Sequence, residues 1–108
     1  KMESKKRWML SGLASKGKIM VDKGAEVALR EQNKSLLPAG VVEVEGSFQR
    51  GDIVNIFGNQ GKHIACGISN YSSADIVIIK GAHSDKIPAL LGYEYGDEVI
   101  HRNNMVVL

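Results

Sequence analysis

The sequence predicts a small domain that is mostly β, with five or six short strands and two or three short helices in a closed or nearly closed barrel. Three observations predict this class. Short runs of β-branched or alternating residues recur along the chain, turn-forming residues separate these runs, and each helix-start signal precedes only a short segment. The length of 108 residues accommodates one domain.

The first strand and the first helix are predicted to follow each other directly. Residues 18–22 have the pattern of a strand, and residues 24–30 have the pattern of a helix. Asp22 is predicted as the helix N-cap, because its carboxylate can accept hydrogen bonds from N–H groups of the next turn. Gly24 lowers helix propensity in the first turn, which indicates close backbone packing there or the close approach of a ligand.

The segment from Lys34 to Val41 is the main candidate for a contact surface, since loops on a rigid scaffold often carry function. Pro38 fixes its own φ and biases Leu37 toward extended geometry. Gly40 can adopt backbone angles that other residues resist. Such a turn can present backbone N–H and C=O groups outward. The alternative is a tight turn whose leucines are buried, and the sequence does not separate the two.

Two lysines flank the predicted helix and can reach phosphate groups, although each lysine by itself is typical of a solvated surface. We combine them with the start of the helix and with the whole loop that follows it. The predicted contact set comprises Lys23, Gly24, Ala25, Lys34, Ser35, Leu36, Leu37, Pro38, Ala39, Gly40 and Val41.

The remaining strands are predicted from short apolar or alternating runs. They cover residues 41–46, 52–57, 62–68, 99–101 and 105–108. In the first of these, Val42 and Val44 are predicted on one face and Glu43 and Glu45 on the other. A hairpin loop is predicted over residues 58–61.

Two further short helices are predicted in the second half of the chain. The β-branched run 76–79 is ambiguous between helix and strand, but the start signal formed by Ser72 and Asp75 favours a helix. A second helix is predicted over residues 84–91. Pro88 limits this helix, because proline is tolerated only in the first turn.

The charge is distributed unevenly along the chain. Residues 1–23 hold seven basic and two acidic residues, a net charge of +5, whereas residues 24–108 carry a net charge of −3. We predict that residues 1–16 form an interdomain linker or docking segment and that the domain spans residues 17–108. Packing of Trp8 on the domain edge is favoured over stacking on a nucleic-acid base. The acidic body argues against strong nonspecific affinity for RNA.

No catalytic group of residues is recognisable in the sequence. His63 and Cys66 are an odd number of strand positions apart, so they are predicted on opposite faces, where they cannot hold a metal ion together. Cys66 is predicted to be a small buried apolar residue. The single cysteine, the absence of a secretory signal pattern and the short apolar runs favour a cytoplasmic location without a membrane segment. The initial Lys1 suggests a piece of a longer protein.

Several motifs in fixed order resemble the PUA domain, and in particular the C-terminal PUA domain of bacterial glutamate 5-kinases. The resemblance starts with the basic lead-in before Trp8 and continues to the end of the chain. Its motifs are Val21-Asp22-x-Gly24-Ala25, Ser35-Leu36-Leu37-Pro38-x-Gly40-Val41, Gly46-x-Phe48-x-Arg50-Gly51-Asp52, Gly67-x-x-Asn70-Tyr71-Ser72-Ser73, Leu91-Gly92-Tyr93 and Val99-Ile100-His101-Arg102. Asn103 departs from the pattern, where an acidic residue is expected.

The resemblance implies a PUA-like pseudobarrel and a parent enzyme that uses ATP and Mg²⁺ to phosphorylate the γ-carboxylate of L-glutamate, the first step of proline biosynthesis. The catalytic machinery of that family lies in a preceding amino-acid-kinase domain. The resemblance therefore implies that this piece has no cofactor and no kinase activity, and that its parent is a homo-oligomer. It implies either a regulatory role through contacts with the kinase domain or RNA binding through the loop from Lys34 to Val41.

Overall fold

The computed structural model describes residues 15–108, which form one mixed sheet with helices packed on it. The strands are β1 (Ser15–Val21), β2 (Val41–Gly46), β3 (Ile53–Phe57), β4 (His63–Ile68) and β5 (Met105–Val107). The α-helices are α1 (Lys23–Glu31), α2 (Ser73–Ile79) and α3 (Ile87–Leu91). Short 3-10 turns occupy Pro38–Gly40, Ser84–Lys86 and Arg102–Asn104.

The sheet has the strand order β2-β1-β3-β4-β5. Strands β1 and β3 are parallel, and the other neighbouring strands are antiparallel. A single bridge between Leu36 and Ile100 joins the segments that precede the two edge strands. The predicted class, a mostly β pseudobarrel with short helices, is confirmed for the described residues.

The strand predicted over residues 99–101 is wrong. Within this run, Ile100 makes only the isolated bridge to Leu36, in which the Leu36 N–H donates to the Ile100 carbonyl over 2.9 Å. The partner segment cannot extend this pairing into a ladder, because it enters the 3-10 turn at Pro38, which has no N–H to donate.

The predicted face of β2 is also wrong at one residue. Met20 pairs with Glu43, but the next residue, Val21, pairs with Val41, so Val42 is an extra residue in the strand. This irregularity has the form of a β-bulge, which breaks the two-residue alternation. Val41 is therefore buried and Val42 is 55% exposed, while Val44 remains half-buried.

Side-chain caps set the starts of α1 and α2. The Asp22 Oδ1 accepts a hydrogen bond from the Ala25 N–H over 2.7 Å, as predicted. The Ser72 Oγ accepts one from the Asp75 N–H over 3.2 Å, and the run that follows is helical. A cap satisfies an N–H group that has no partner inside the helix. In α2 this cap favours the helix over the strand that the β-branched residues 76–79 also permit.

The segment after α2 matches the prediction closely. The helix predicted over residues 84–91 consists of a 3-10 turn followed directly by α3, with Pro88 in the first turn. Gly92 ends α3 in the left-handed conformation, with a φ of 84°. Glycine adopts this conformation without the penalty that a Cβ imposes, which makes it a common helix terminator.

The direction of β1 defines two ends of the domain. We call the end where Ser15 pairs with Ile53 the proximal end, and the end where Val21 pairs with Val41 the distal end. Seven extended residues span about 20 Å. The turn over residues 47–52 and the start of α2 lie at the proximal end, since the Ser73 N–H donates to the Phe48 carbonyl.

Tyr71 is the largest fully buried side chain and lies at the proximal end. Its hydroxyl donates to the Gly96 carbonyl over 2.6 Å and accepts from the Tyr95 N–H over 2.7 Å. A tyrosine hydroxyl is protonated at neutral pH and can make both bonds; burial raises the pKa of the Tyr71 phenol further. Tyr71 thus attaches the loop over residues 92–98 to the core.

We expect Tyr71→Phe to destabilise the domain by about 1–3 kcal/mol, because it leaves the backbone groups of Tyr95 and Gly96 without partners. Tyr93→Phe is the matched control, since Tyr93 is 44% exposed and its hydroxyl bonds to the half-buried carboxylate of Asp75. Its effect should be smaller, because water can replace a bond at the surface. Urea unfolding monitored by circular dichroism measures both changes. Equal effects of the two substitutions would contradict the role given to the Tyr71 hydroxyl.

Candidate contact surface at the distal end

A cleft of about 290 Å³ opens at the distal end between α1 and the loop that precedes β2. Its walls are mostly small or apolar, with one acidic and one basic side chain. The lining residues are Asp22, Gly24, Ala25, Ala28, Lys34, Ser35, Leu37, Ala39 and Gly40. We refer to this feature as the distal cleft.

Backbone hydrogen bonds hold the two walls of the distal cleft at a set spacing. The Asp22 N–H donates to the Gly40 carbonyl over 3.0 Å, which ties the start of α1 to the loop. The Lys34 N–H donates to the Ala28 carbonyl over 3.1 Å and closes the other end of the helix onto the same loop. Because these bonds use main-chain atoms, the exposed Lys34 side chain remains available to a partner, whereas the Ser35 Oγ accepts a hydrogen bond from the Arg102 N–H over 2.9 Å.

The two glycines of the distal cleft lie in different surroundings. Gly40 does not have a positive φ; a Cβ at this position would lie 2.6 Å from the Ala25 Cβ. Close contact with α1, rather than the unusual backbone angles predicted from the sequence, is therefore the reason for glycine. A Cβ on Gly24 would meet only the Asp22 Oδ1, at 3.5 Å. Protein packing thus does not explain Gly24, and the space beside it belongs to the cleft.

Seven members of the predicted contact set line the distal cleft. They are Gly24, Ala25, Lys34, Ser35, Leu37, Ala39 and Gly40. Three others, Leu36, Pro38 and Val41, are buried beneath it. Each of the two interpretations of the loop holds for one of its leucines. Leu36 is buried, as in a tight turn, while Leu37 is 45% exposed, as in a contact surface.

Sequence reasoning did not include Asp22 and Ala28 in the contact set. Asp22 was predicted only as a cap, and its position at the cleft follows from the bond between its N–H and Gly40. Ala28 was predicted only as a member of the helix face that also carries Ala25 and Leu29. The helical spacing of three residues from Ala25 places Ala28 on the same face of α1, and this signal could have identified it.

Lys23 lies apart from the distal cleft, beside a second hollow of about 220 Å³. This hollow is polar and lies between α1 and the hairpin loop after β3. Its lining residues are Lys23, Glu26, Arg30, Asn59, Gln60 and Lys62. Glu26 organises it: its carboxylate accepts from the Asn59 N–H over 3.3 Å and pairs with Arg30 over 3.2 Å.

His63 and Cys66 do not come together as ligands. His63 is exposed, stacks on Phe57 with ring centroids 4.9 Å apart, and has its Nε2 3.1 Å from the Asn55 Oδ1. Cys66 is buried beside Ile53, as predicted, and burial raises the pKa of its thiol. Over residues 15–108, no three His, Cys, Asp or Glu side chains are grouped so that they could hold a metal ion.

The PUA domain family model matches residues 17–91. This match covers more than half of the chain and includes both walls of the distal cleft. The chain therefore belongs to the PUA domain family.

Over its whole length the chain is similar to the C-terminal region of glutamate 5-kinases. It is 56% identical over 108 residues to the glutamate 5-kinase of Dehalococcoides mccartyi strain CBDB1, and 49% identical over 107 residues to that of Shewanella sediminis. These matches cover 100% and 99% of the chain. The chain spans only 29% of the length of each of these relatives.

Solved structures share the fold. The crystal structure of a PUA domain from Aeropyrum pernix K1, a tartrate complex, has a TM-score of 0.59 and 30% identity, covering 80% of this chain and 41% of that one. A conserved PUA domain protein from Thermoplasma acidophilum has a TM-score of 0.55 and 20% identity, covering 80% and 48%. The archaeal box H/ACA sRNP Nop10–Cbf5 complex matches with a TM-score of 0.54 and 22% identity, covering 57% and 20%.

We expect Gly40→Ala and Gly24→Ala to change stability in opposite directions. Gly40→Ala places a methyl group against Ala25 and should destabilise the domain by about 1–3 kcal/mol. Gly24→Ala adds a methyl group in open space inside a helix and should stabilise it by up to about 1 kcal/mol. Chemical denaturation of the two variants measures both effects. If the two substitutions have the same sign, the packing described for the distal cleft is wrong.

Proposed function

We propose that this chain is the accessory, non-catalytic PUA domain of a glutamate 5-kinase. The observation that carries this proposal is the 56% identity over all 108 residues to a protein of which the chain spans only 29%. The parent would be a cytoplasmic homo-oligomer that phosphorylates L-glutamate with ATP at the start of proline biosynthesis. Its catalytic residues would lie in a preceding amino-acid-kinase domain of the same polypeptide.

The distal cleft offers few groups that a nucleotide with Mg²⁺ would need. Magnesium sites commonly combine one or two carboxylates with the phosphates of the substrate. Asp22 is the one carboxylate among the lining residues, and its Oδ1 already accepts the capping bond from Ala25. We therefore assign ATP and Mg²⁺ to the rest of the parent and give the domain a role in binding.

The position of the distal end supports a regulatory role. It lies at the opposite end of β1 from Ser15, so its surface is not covered by the start of the described domain. A partner seated in the cleft would meet exposed Leu37 and the Lys34 ammonium group without disturbing the core. Such a contact would fix the position of the PUA domain relative to the kinase domain and would thereby change how the kinase domain responds. The responses it would tune are inhibition by proline and dependence on Mg²⁺.

We expect removal of residues 15–108 from the full-length kinase to change its proline inhibition or its Mg²⁺ dependence, while phosphorylation of glutamate continues. Initial-rate assays over a range of proline and Mg²⁺ concentrations measure this. Lys34→Glu in the full-length enzyme should change the same response in part, because it reverses the charge at the cleft. Lys86→Glu, at an exposed position outside the cleft, is the matched control. Unchanged responses after the deletion would refute the regulatory role.

RNA binding is the second candidate function, favoured by the cations of the distal end. Lys23, Arg30 and Lys62 surround the polar hollow, and Lys34 stands at the neighbouring cleft. Clustered lysine and arginine residues bind phosphate backbones by displacing counterions. A protein of an archaeal box H/ACA sRNP complex shares the fold, which is consistent with this function.

If the domain binds RNA, its affinity for a structured RNA should fall steeply with salt. Lys23→Ala and Lys34→Ala should each weaken binding and reduce the slope of log affinity against log salt by about 1. Lys86→Ala should leave that slope unchanged. Fluorescence anisotropy at low and moderate salt measures these effects. Absence of binding at low salt would exclude this second function and leave the regulatory one standing.

A further inference from the structure

Three tyrosines at the proximal end form a cluster that the proposed function does not use. The rings of Tyr71 and Tyr95 are 5.5 Å apart, and the rings of Tyr93 and Tyr95 are also 5.5 Å apart. Tyr71 is buried, whereas Tyr93 and Tyr95 are 44% and 43% exposed. The Arg50 guanidinium lies 4.0 Å from the centre of the Tyr95 ring. We call the exposed surface of Tyr93, Tyr95 and Arg50 the tyrosine platform.

The tyrosine platform is held in place rather than loosely displayed. The Tyr93 hydroxyl donates to the Asp75 Oδ1 over 2.6 Å, and this bond contributes most to raising the pKa of Tyr93 to about 12. The Tyr95 N–H bonds to the buried Tyr71 hydroxyl. Ordered, half-exposed aromatic rings with polar tips are typical of surfaces that bind a partner. The tyrosine platform thus has apolar area that a partner can cover, and binding would cost little further conformational entropy.

The surroundings of the tyrosine platform are acidic. Glu94, Asp97 and Asp75 all lie close enough to contribute to raising the pKa of Tyr71. Arg50 is a cation in the same group, but its guanidinium is stacked on Tyr95. A basic partner with an aromatic side chain would complement the acidic residues in charge and would cover the exposed tyrosine rings.

The sequence of the chain itself contains such a partner. Residues 1–14 lie outside the described residues and carry four basic side chains against one acidic one, with a net charge of +3. The single tryptophan of the chain, Trp8, follows the basic run Lys5-Lys6-Arg7 directly. The segment therefore combines the cations and the aromatic ring that the tyrosine platform would accept.

The described domain begins at the same end as the platform. Ser15 pairs with Ile53 at the proximal end, and Ile53 is three residues from Arg50. Trp8 stands seven residues before Ser15, so the chain between them can extend up to about 25 Å. The distal cleft would require the segment to return along the whole of β1, whereas the platform lies beside its point of attachment.

We propose that residues 1–14 dock on the tyrosine platform of their own domain, with Trp8 against Tyr93 and Tyr95 and the basic run toward the acidic residues. Docking would set the direction in which the polypeptide leaves the domain. It would therefore set the orientation of whatever precedes it in a longer chain. The inference rests on the proximal end alone and does not depend on the activity of the parent.

Fluorescence of Trp8 tests this proposal in the 108-residue chain, because no other tryptophan contributes. We expect its emission to be blue-shifted, and its quenching by acrylamide to be several-fold weaker, relative to a peptide of residues 1–14. The double substitution Tyr93→Ala and Tyr95→Ala should remove both differences. Val42→Ala, which alters an exposed apolar residue of β2, is the matched control and should leave them unchanged.

A second variant guards against loss of folding. The double substitution Lys5→Glu and Lys6→Glu lies outside the described fold and should also expose Trp8, as should a high salt concentration. Circular dichroism and thermal unfolding check that each variant remains folded.

Four outcomes would overturn the proposal. The first is a Trp8 emission of the 108-residue chain equal to that of the peptide. This outcome overturns the proposal even if Trp8 becomes shielded within a longer polypeptide. Shielding that survives the tyrosine substitutions in a folded domain would place the segment elsewhere. Shielding that survives both Lys5→Glu/Lys6→Glu and high salt would remove the proposed charge contact. Shielding that disappears on dilution would indicate a second copy of the chain as the occupant.

Discussion

Asp22 makes the junction between β1 and α1 on which the distal end depends. Its carboxylate caps the helix at Ala25, while its backbone N–H bonds to the carbonyl of Gly40. One residue therefore sets where α1 begins and how far the helix stands from the loop before β2. This short spacing brings Gly40 close to Ala25. A side chain at Gly40 would therefore not fit between the two walls.

The two ends of the domain differ in how their surfaces are made. At the distal end, backbone hydrogen bonds hold small residues around a cleft, and the exposed Lys34 adds charge at its rim. At the proximal end, a buried tyrosine hydroxyl bonds to the backbone of the loop that carries the exposed tyrosines. The paired strands β1 and β3 both run from the proximal end to the distal end, so the two ends lie one strand length apart.

Local sequence signals predicted the elements that depend on neighbouring residues. The caps at Asp22 and Ser72 and the turn at Pro38 were readable because each acts within three or four residues. Gly92 ends α3 at the boundary expected for the helix over residues 84–91. The predictions were wrong where pairing with a distant segment determines the local structure. The bulge at Val42 arises from pairing with β1, and residues 99–101 form no strand because their partner turns away after Leu36.

The sequence by itself determined the class of fold, the family resemblance and most of the residues that line the distal cleft. These follow from local periodicity, from capping and from motifs in a fixed order, all of which are linear properties of the chain. The tertiary structure decided which leucine of the loop is exposed, why Gly40 is glycine and which aromatic rings meet at the proximal end. Those features depend on contacts between residues far apart in sequence, such as Tyr71 with Tyr95, and no local pattern encodes such a distance.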